Sequence, residues 1–307
     1  MNASRLALAA ALFATTAWSA ERTETIAQNY PAKQGKAVII DAGPLDVAVR
    51  SAAIDEIRLK VELSAGAFSE KQALAWLDAH RPVIQDGPDS LQLTAPDPSG
   101  VKLFKGVVVS RARVEIVLPT YVRPDLSTST GNITVEGEFP AAKPLRLRVA
   151  TGSVDFSGWA PEVEARSTSG DLRVRALRAL DYFLARTADG NVQLTGGARR
   201  VRCDASSGDV RLEGLVGPIG VVSTSGDVLA QFDTLSAADE VRVGATSGQV
   251  RIGLPPGAAP GGEITSKSGE IRSVYPGTAA PEGGKLTLSG TAGSLFVSTT
   301  KGKIELY

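Results

Sequence analysis

Ser167-Thr168-Ser169-Gly170-Asp171-Leu172-Arg173-Val174 is the stretch on which the fold turns, because it returns with small edits along most of the chain. Its glycine recurs at Gly43, Gly131, Gly152, Gly170, Gly190, Gly208, Gly226, Gly248, Gly269 and Gly302, and from Gly131 to Gly269 the steps are 21, 18, 20, 18, 18, 22 and 21 residues. A period of about 20 residues with loosely varying length describes one coil of a solenoid per unit, the differences being absorbed in surface bends.

The register of the repeat shows which residues face inward. Two and four residues after the glycines come Leu45 and Val47, Ile133 and Val135, Val154 and Phe156, Leu172 and Val174, Val192 and Leu194, Val210 and Leu212, Val228 and Ala230, Val250 and Ile252, and Ile304 and Leu306. Only Ile271 and Ser273 falter. Mostly polar residues sit between them, which is the period-two alternation of a strand with one dry and one wet face. Helical spacing would need apolar residues at three and four, and it is absent.

The glycine follows Thr130, Thr151, Ser169, Ser207, Ser225, Ser247 or Ser268 and usually precedes Asp, Asn, Gln or Glu. Such a step turns the chain, since glycine reaches backbone angles that side chains forbid and Ser, Thr and Asp cap nearby amides. A second strand precedes it, as in Val201-Arg202-Cys203-Asp204-Ala205 or Val221-Val222-Ser223-Thr224. Each coil therefore holds at least two strands joined at a glycine corner, and stacked coils pair in parallel at about 4.8 Å per rung. The expected fold is all-β, a parallel, β-helix-like solenoid with coils of about 18–22 residues.

Residues 1–19 form a separate object. Arg5, the apolar run Leu6 to Ala17 and the small-x-small step Ala17-Trp18-Ser19 read as a secretory signal peptide, which places the mature chain in the periplasm or outside the cell. Residues 20–126 read as an opening coil plus an excursion, and residues 127–307 as the regular solenoid. Within the excursion, strands are expected at about 36–41, 45–50 and 54–63, then a helix from Ser69 with Ser69 and Gln72 placed as a capping box, then strands Ser90 to Thr94 and Gly106 to Leu118. From its position, the helix or the excursion is expected to cap the solenoid end, where bare strand edges invite pairing.

Composition removes several function classes. The 33 basic residues are balanced by 33 acidic ones and scattered, which leaves no electrostatic footprint for nucleic acid. The single cysteine, Cys203, excludes an intramolecular disulfide and a lipid-bearing cysteine beside the cleavage site, and its alternation with Val201 and Ala205 makes it a core residue. The C-terminal strand ends in Tyr307, as outer-membrane barrel strands do, but Lys301, Lys303 and Glu305 occupy the face lipid would touch. After signal cleavage the chain is not expected to be an integral membrane protein.

Catalytic signals are thin. There is one histidine, His80, read as a plain helix-end residue, and neither a GxSxG elbow, a P-loop nor a zinc-binding cluster is present. No catalytic, cofactor-binding or metal-ligating residue is assigned. The sharpest candidate is the line one residue after each glycine: Asn132, Ser153, Asp171, Asn191, Asp209, Asp227, Gln249 and Glu270. Stacked, these oxygens form a ladder that either binds calcium or merely reflects good turn pairs. Arg173, Arg211, Arg251 and Arg272 stand outward three residues after the glycine, beside Thr134, Asp155 and Gln193, and read as solvated charge balance. Acids beside arginines on a solenoid face also fit polysaccharide lyases and hydrolases, although Trp76 and Trp159 are the only tryptophans left after cleavage to serve as sugar platforms.

The repeat resembles the bacterial putative adhesin family, a domain of unknown function in which a signal or anchor precedes a run of Thr/Ser-Ser-Gly-Asp/Asn-Val/Ile-x-Val/Leu coils. Residues 127–306 carry the motif, and Ala42-Gly43-Pro44-Leu45-Asp46-Val47 is similar to the family's degenerate first coil. The helix followed by a strand ending in Leu118-Pro119 is also like the family. The chain departs from it at the 33-residue step from Gly269 to Gly302, where a distorted or longer final coil is expected. The resemblance implies a β-solenoid and carries over no catalytic residue. The expected function is a non-enzymatic, adhesin-like or envelope-associated module whose partner is an envelope polysaccharide or another envelope protein. A polysaccharide-active enzyme on the same scaffold is the alternative, because solenoids host both.

Overall fold

The computed structural model describes residues 20–96, 106–281 and 283–307, so the expected signal peptide lies outside the described residues. Each repeat folds as its alternation dictates. Val201–Ser207 runs in one sheet, Gly208 turns the corner, and Val210–Leu215 runs in the other. Successive coils then pair in parallel and in register, Val192 beside Val210 and Val210 beside Val228. The result is a 13-stranded sheet, here sheet A, holding the strands after each glycine, and a 14-stranded sheet, sheet B, holding those before it.

The core lies between the sheets. Leu172, Val174, Leu194 and Leu212 of sheet A and Val163, Ala165, Phe183 and Cys203 of sheet B are fully buried. Burial of each large apolar side chain contributes about 1.5–3 kcal/mol, and the period-two pattern lets every rung contribute.

The corners confirm the reading of the glycines and add a second reason for them. Gly208 has φ +104° and Gly226 φ +117°, in the region side chains avoid. A Cβ on Gly226 would also lie 2.2 Å from the carbonyl oxygen of Gly208, and one on Gly208 2.3 Å from that of Gly190. The corners thus stack backbone on backbone.

Two expectations about register need correction. In the first coil, Val47 pairs with Ile133 and Val49 with Val135, so the buried pair lies two residues later than the spacing from Gly43 predicts. Leu45, not Gly43, sits beneath Gly131, whose Cβ would meet the Leu45 carbonyl oxygen at 2.0 Å. At the far end, the coil of Gly269 does not stack on that of Gly248. Ile304–Leu306 lies between Val250–Gly253 and Ile271–Ser273, and Ser294–Lys301 lies between Glu240–Ser247 and Gly261–Ser266. The 33-residue step is therefore an overshoot: the chain lays down the outer coil first and returns to fill the inner one.

The excursion does the same at the other end. Val107–Pro119 and Ser90–Thr94 flank the first coil, and Glu56–Ala67 then extends sheet A antiparallel. Sequence reading missed Ala20–Pro31, which forms the edge of sheet A against Glu56–Ala67, and Val83–Asp86, which forms the edge of sheet B. Both are mostly exposed, so neither shows a strong apolar alternation. The helix Glu70–His80 starts as expected: the Ser69 hydroxyl accepts from the Gln72 amide at 3.3 Å and donates to Gln72 Oε1 at 3.0 Å. It packs on the edge strand and the next two strands of sheet A, Glu56–Ala67 and Val107–Pro119, burying Ala73, Trp76 and Leu77. Charged side chains of the edge are tied to it through Arg22–Glu70 and Glu24–Arg81, both 2.7 Å, so the excursion blunts the end of sheet A.

Candidate functional site

The ladder after each glycine exists, and its oxygens are used within the fold. Asp46 Oδ1 accepts the Asn132 amide at 2.8 Å, and Asn132 Oδ1 accepts that of Ser153 at 2.9 Å. Asp171 accepts from Asn191, Asn191 from Asp209, Asp209 from Asp227 and Asp227 from Gln249, each at 2.8–2.9 Å. The expectation of a local cap is thereby refined: the side chains of Asp46, Asn132, Asp171, Asn191, Asp209 and Asp227 each cap the corner amide of the next coil. Glu270 is not the next rung after Gln249, because the overshoot places Lys303 there, as the bonds from Val250 to the Lys303 carbonyl and from Ile304 to the Glu270 carbonyl show. Among the described residues, no three His, Cys, Asp or Glu side chains gather as a metal site.

Four outward arginines of sheet A are matched one to one, whereas Arg251 has a buried Nε without a hydrogen-bond partner. Arg173 pairs with Asp171, Arg175 with Asp155, Arg50 with Glu136 and Arg211 with Glu213. Arg251 and Arg272 flank Glu305 in register, so the returning strand separates two like charges that simple stacking would have juxtaposed. The hydrogen bond from Arg272 holds the Glu270 carboxyl below its ordinary value. His80 is buried, lies against Trp76 with ring centroids 4.0 Å apart, and donates Nδ1–H to the Trp76 carbonyl at 2.8 Å. Trp159 is covered by Arg178, whose guanidinium lies 3.7 Å from the ring centre. Neither tryptophan offers a free platform.

The outer face of sheet B is different, and the reading of the glycine-following strands passed it by. Two outward rows stand four and six residues before each glycine. The first runs Arg148, Arg166, Arg186, Asp204, Val222, Gly244, Ser298; the second Arg146, Glu164, Leu184, Arg202, Gly220, Arg242, Phe296. A cleft of about 690 Å³ opens over Gly220, Gly244, Val222 and Phe296, walled by Arg202, Arg242 and Glu263. A second, of about 460 Å³, runs past Arg166, Arg186, Thr168, Ser206 and Thr224. They share Asp204 and Val222 and so form one trough.

The trough floor is open because two strand-interior residues lack side chains. A Cβ on Gly220 would meet nothing within 4 Å, and one on Gly244 only the Ser298 hydroxyl at 3.8 Å. Neither has a positive φ. Glycine weakens a strand and often marks a close approach by a ligand or another backbone. Phe296 and Val222 are exposed beside this floor, and Arg242 lies 5.3 Å from the Phe296 ring centre.

A family model described as Toastrack DUF4097 matches residues 89–306. The chain belongs to that family. No curated protein matches it. Among solved structures, a chain from Bacteroides fragilis NCTC 9343, described as a putative adhesin, is 13% identical with a TM-score of 0.45, covering 92% of this chain and 97% of that one. A putative adhesin from Parabacteroides merdae ATCC 43184 is 12% identical with a TM-score of 0.35, covering 92% and 96%. A chain from Parabacteroides distasonis ATCC 8503, described as a putative lipid binding protein, is 12% identical with a TM-score of 0.41, covering 93% and 96%. The family is one of unknown function, and among the described residues no helix is long and apolar enough to cross a membrane.

Proposed function

We propose that this Toastrack protein is a non-enzymatic binding module, secreted or periplasmic, that holds an envelope polysaccharide on the outer face of sheet B. The trough carries the reading. It is open along its length and lined by guanidinium groups and by the hydroxyls of Thr168, Ser206, Thr224, Thr265 and Ser298. It also rests on parallel strands bonded on both sides, which hold their side chains at fixed spacing. Such a surface binds an extended partner by many small contacts and needs no moving part. The naming of solved neighbours as adhesins agrees with a contact role.

The test is to pass the purified protein over a panel of envelope and extracellular polysaccharides while recording both binding and release of reducing or unsaturated ends. Binding without products is expected. Product release that disappears in Asp209→Ala or Asp227→Ala would overturn the reading in favour of an enzyme.

A further inference from the structure

The charge on the two outer faces is arranged differently, and the difference selects a ligand. On sheet B, Arg146 and Arg148 share Asp125, Arg146 and Arg166 share Glu164, and Arg186 and Arg202 share Asp204. Five guanidinium groups thus face three carboxylates, whereas Arg50, Arg173, Arg175 and Arg211 of sheet A have one acid each. The carboxylates also lie deeper. Side-chain exposure is 26% for Asp125, 14% for Glu164 and 32% for Asp204, against 41% for Arg148, 44% for Arg166 and 44% for Arg186. The acids hold the guanidinium groups from below and leave outward N–H groups to an incoming anion.

Resting on the binding role proposed above, we infer that the trough takes a linear anionic glycan, lying along the stack with its acid groups on Arg148, Arg166 and Arg186 and a sugar ring over Gly220 and Gly244 beside Phe296. Three observations fit this ligand together. Arg148, Arg166 and Arg186 stand on adjacent parallel strands in direct register, so cationic groups repeat at about one strand spacing, roughly 4.8 Å, comparable with the residue spacing of an extended sugar chain. The vacant glycine floor beside one exposed aromatic accommodates a flat ring face. The hydroxyl groups of Thr168, Ser206 and Thr224 line one half of the trough and those of Thr265 and Ser298 the other, which suits a polyhydroxylated chain.

The test compares polygalacturonate, a phosphomannan, neutral dextran and vesicles of phosphatidylcholine with phosphatidylglycerol, binding each to the full protein at low and moderate salt. The decisive variant is Arg148→Gln with Arg166→Gln and Arg186→Gln, in which each carboxylate keeps Arg146 or Arg202 and folding is preserved. We expect salt-sensitive binding of an anionic glycan, weakened at least tenfold by the triple variant, at least fivefold by Gly220→Val with Gly244→Val, and less than twofold by Arg173→Gln with Arg211→Gln on sheet A. The two anionic probes tell carboxylate from phosphate recognition. Binding of dextran with equal affinity, unaffected by the triple variant, would overturn this inference and leave the polysaccharide role standing. Binding only to vesicles, or to none of the probes and no polysaccharide of the panel, would overturn both.

Discussion

Glycine has two distinct uses in this chain, and substitution separates them. At Gly208 and Gly226 the backbone angle and the carbonyl of the preceding coil both exclude a side chain. Replacing either with valine is expected to cost about 2–6 kcal/mol, the sum of a disallowed φ and a backbone clash, read as a large fall in Tm. Gly220 meets neither constraint, so Gly220→Ala is expected to be neutral or to stabilise by up to about 1 kcal/mol. Equal destabilisation at all three would refute the distinction between corner and floor. Cys203 presents a different residue-scale effect: burial, with a smaller contribution from Asp204, pushes its thiol up to about 12 from an ordinary 9.0. The folded state retains the proton that the unfolded chain releases, so this contribution is complete below pH 9 and falls away as pH rises from there toward about 12. Cys203→Ala should flatten that alkaline decline in urea titrations, and native Cys203 should resist alkylation at pH 8.

At the scale of the element, the Asx ladder joins one corner to the next. Asp209 receives the Asp227 amide, so Asp209→Ala is expected to lose about 1–3 kcal/mol while Asp209→Asn, which keeps the accepting oxygen, stays within about 0.5 kcal/mol. Urea midpoints decide it, and an equal loss in both variants would show that charge, not the amide bond, matters. The core strands of the regular repeats were legible because their buried and exposed residues alternate. Ala20–Pro31 was not, because an edge strand with one neighbour buries little and carries Glu21, Arg22 and Glu24 in place of an apolar row. The sheet B rows escaped notice for another reason. They keep step with the glycine, but after Arg148, Arg166 and Arg186 the first row changes to Asp204, Val222, Gly244 and Ser298, so no single residue type marks the rows along the whole stack.

For the whole molecule, the decisive feature is that both ends double back. The strand Ile304–Leu306 has a parallel neighbour on each side. Truncation after Ser289 should therefore do more than remove two strands. It would strip Gly261–Ser266 and Ile271–Ser273 of the parallel partners they have among the described residues and bare Glu240–Ser247 and Val250–Gly253. The expected outcome is a lower Tm and self-association, seen by thermal melting and size-exclusion chromatography, since exposed parallel edges pair with other chains. A monomeric truncation with unchanged Tm would show that the outer coil is independent of the returning strand.

The coil, its two strands, the glycine corner and the inward residues of the regular repeats are legible in the sequence, because they follow from local alternation and turn chemistry that repeat every coil, and the helix start follows from its own capping box. Stacking order was beyond the sequence: Lys303 and Glu270, or Arg251 and Glu305, meet through a long-range return that leaves the local pattern unchanged. The trough was likewise decided only by tertiary structure. Arg148, Arg166, Arg186, Gly220, Gly244 and Phe296 come from six strands, and only the register of the parallel stack places a surplus of guanidinium groups in line with a vacant floor.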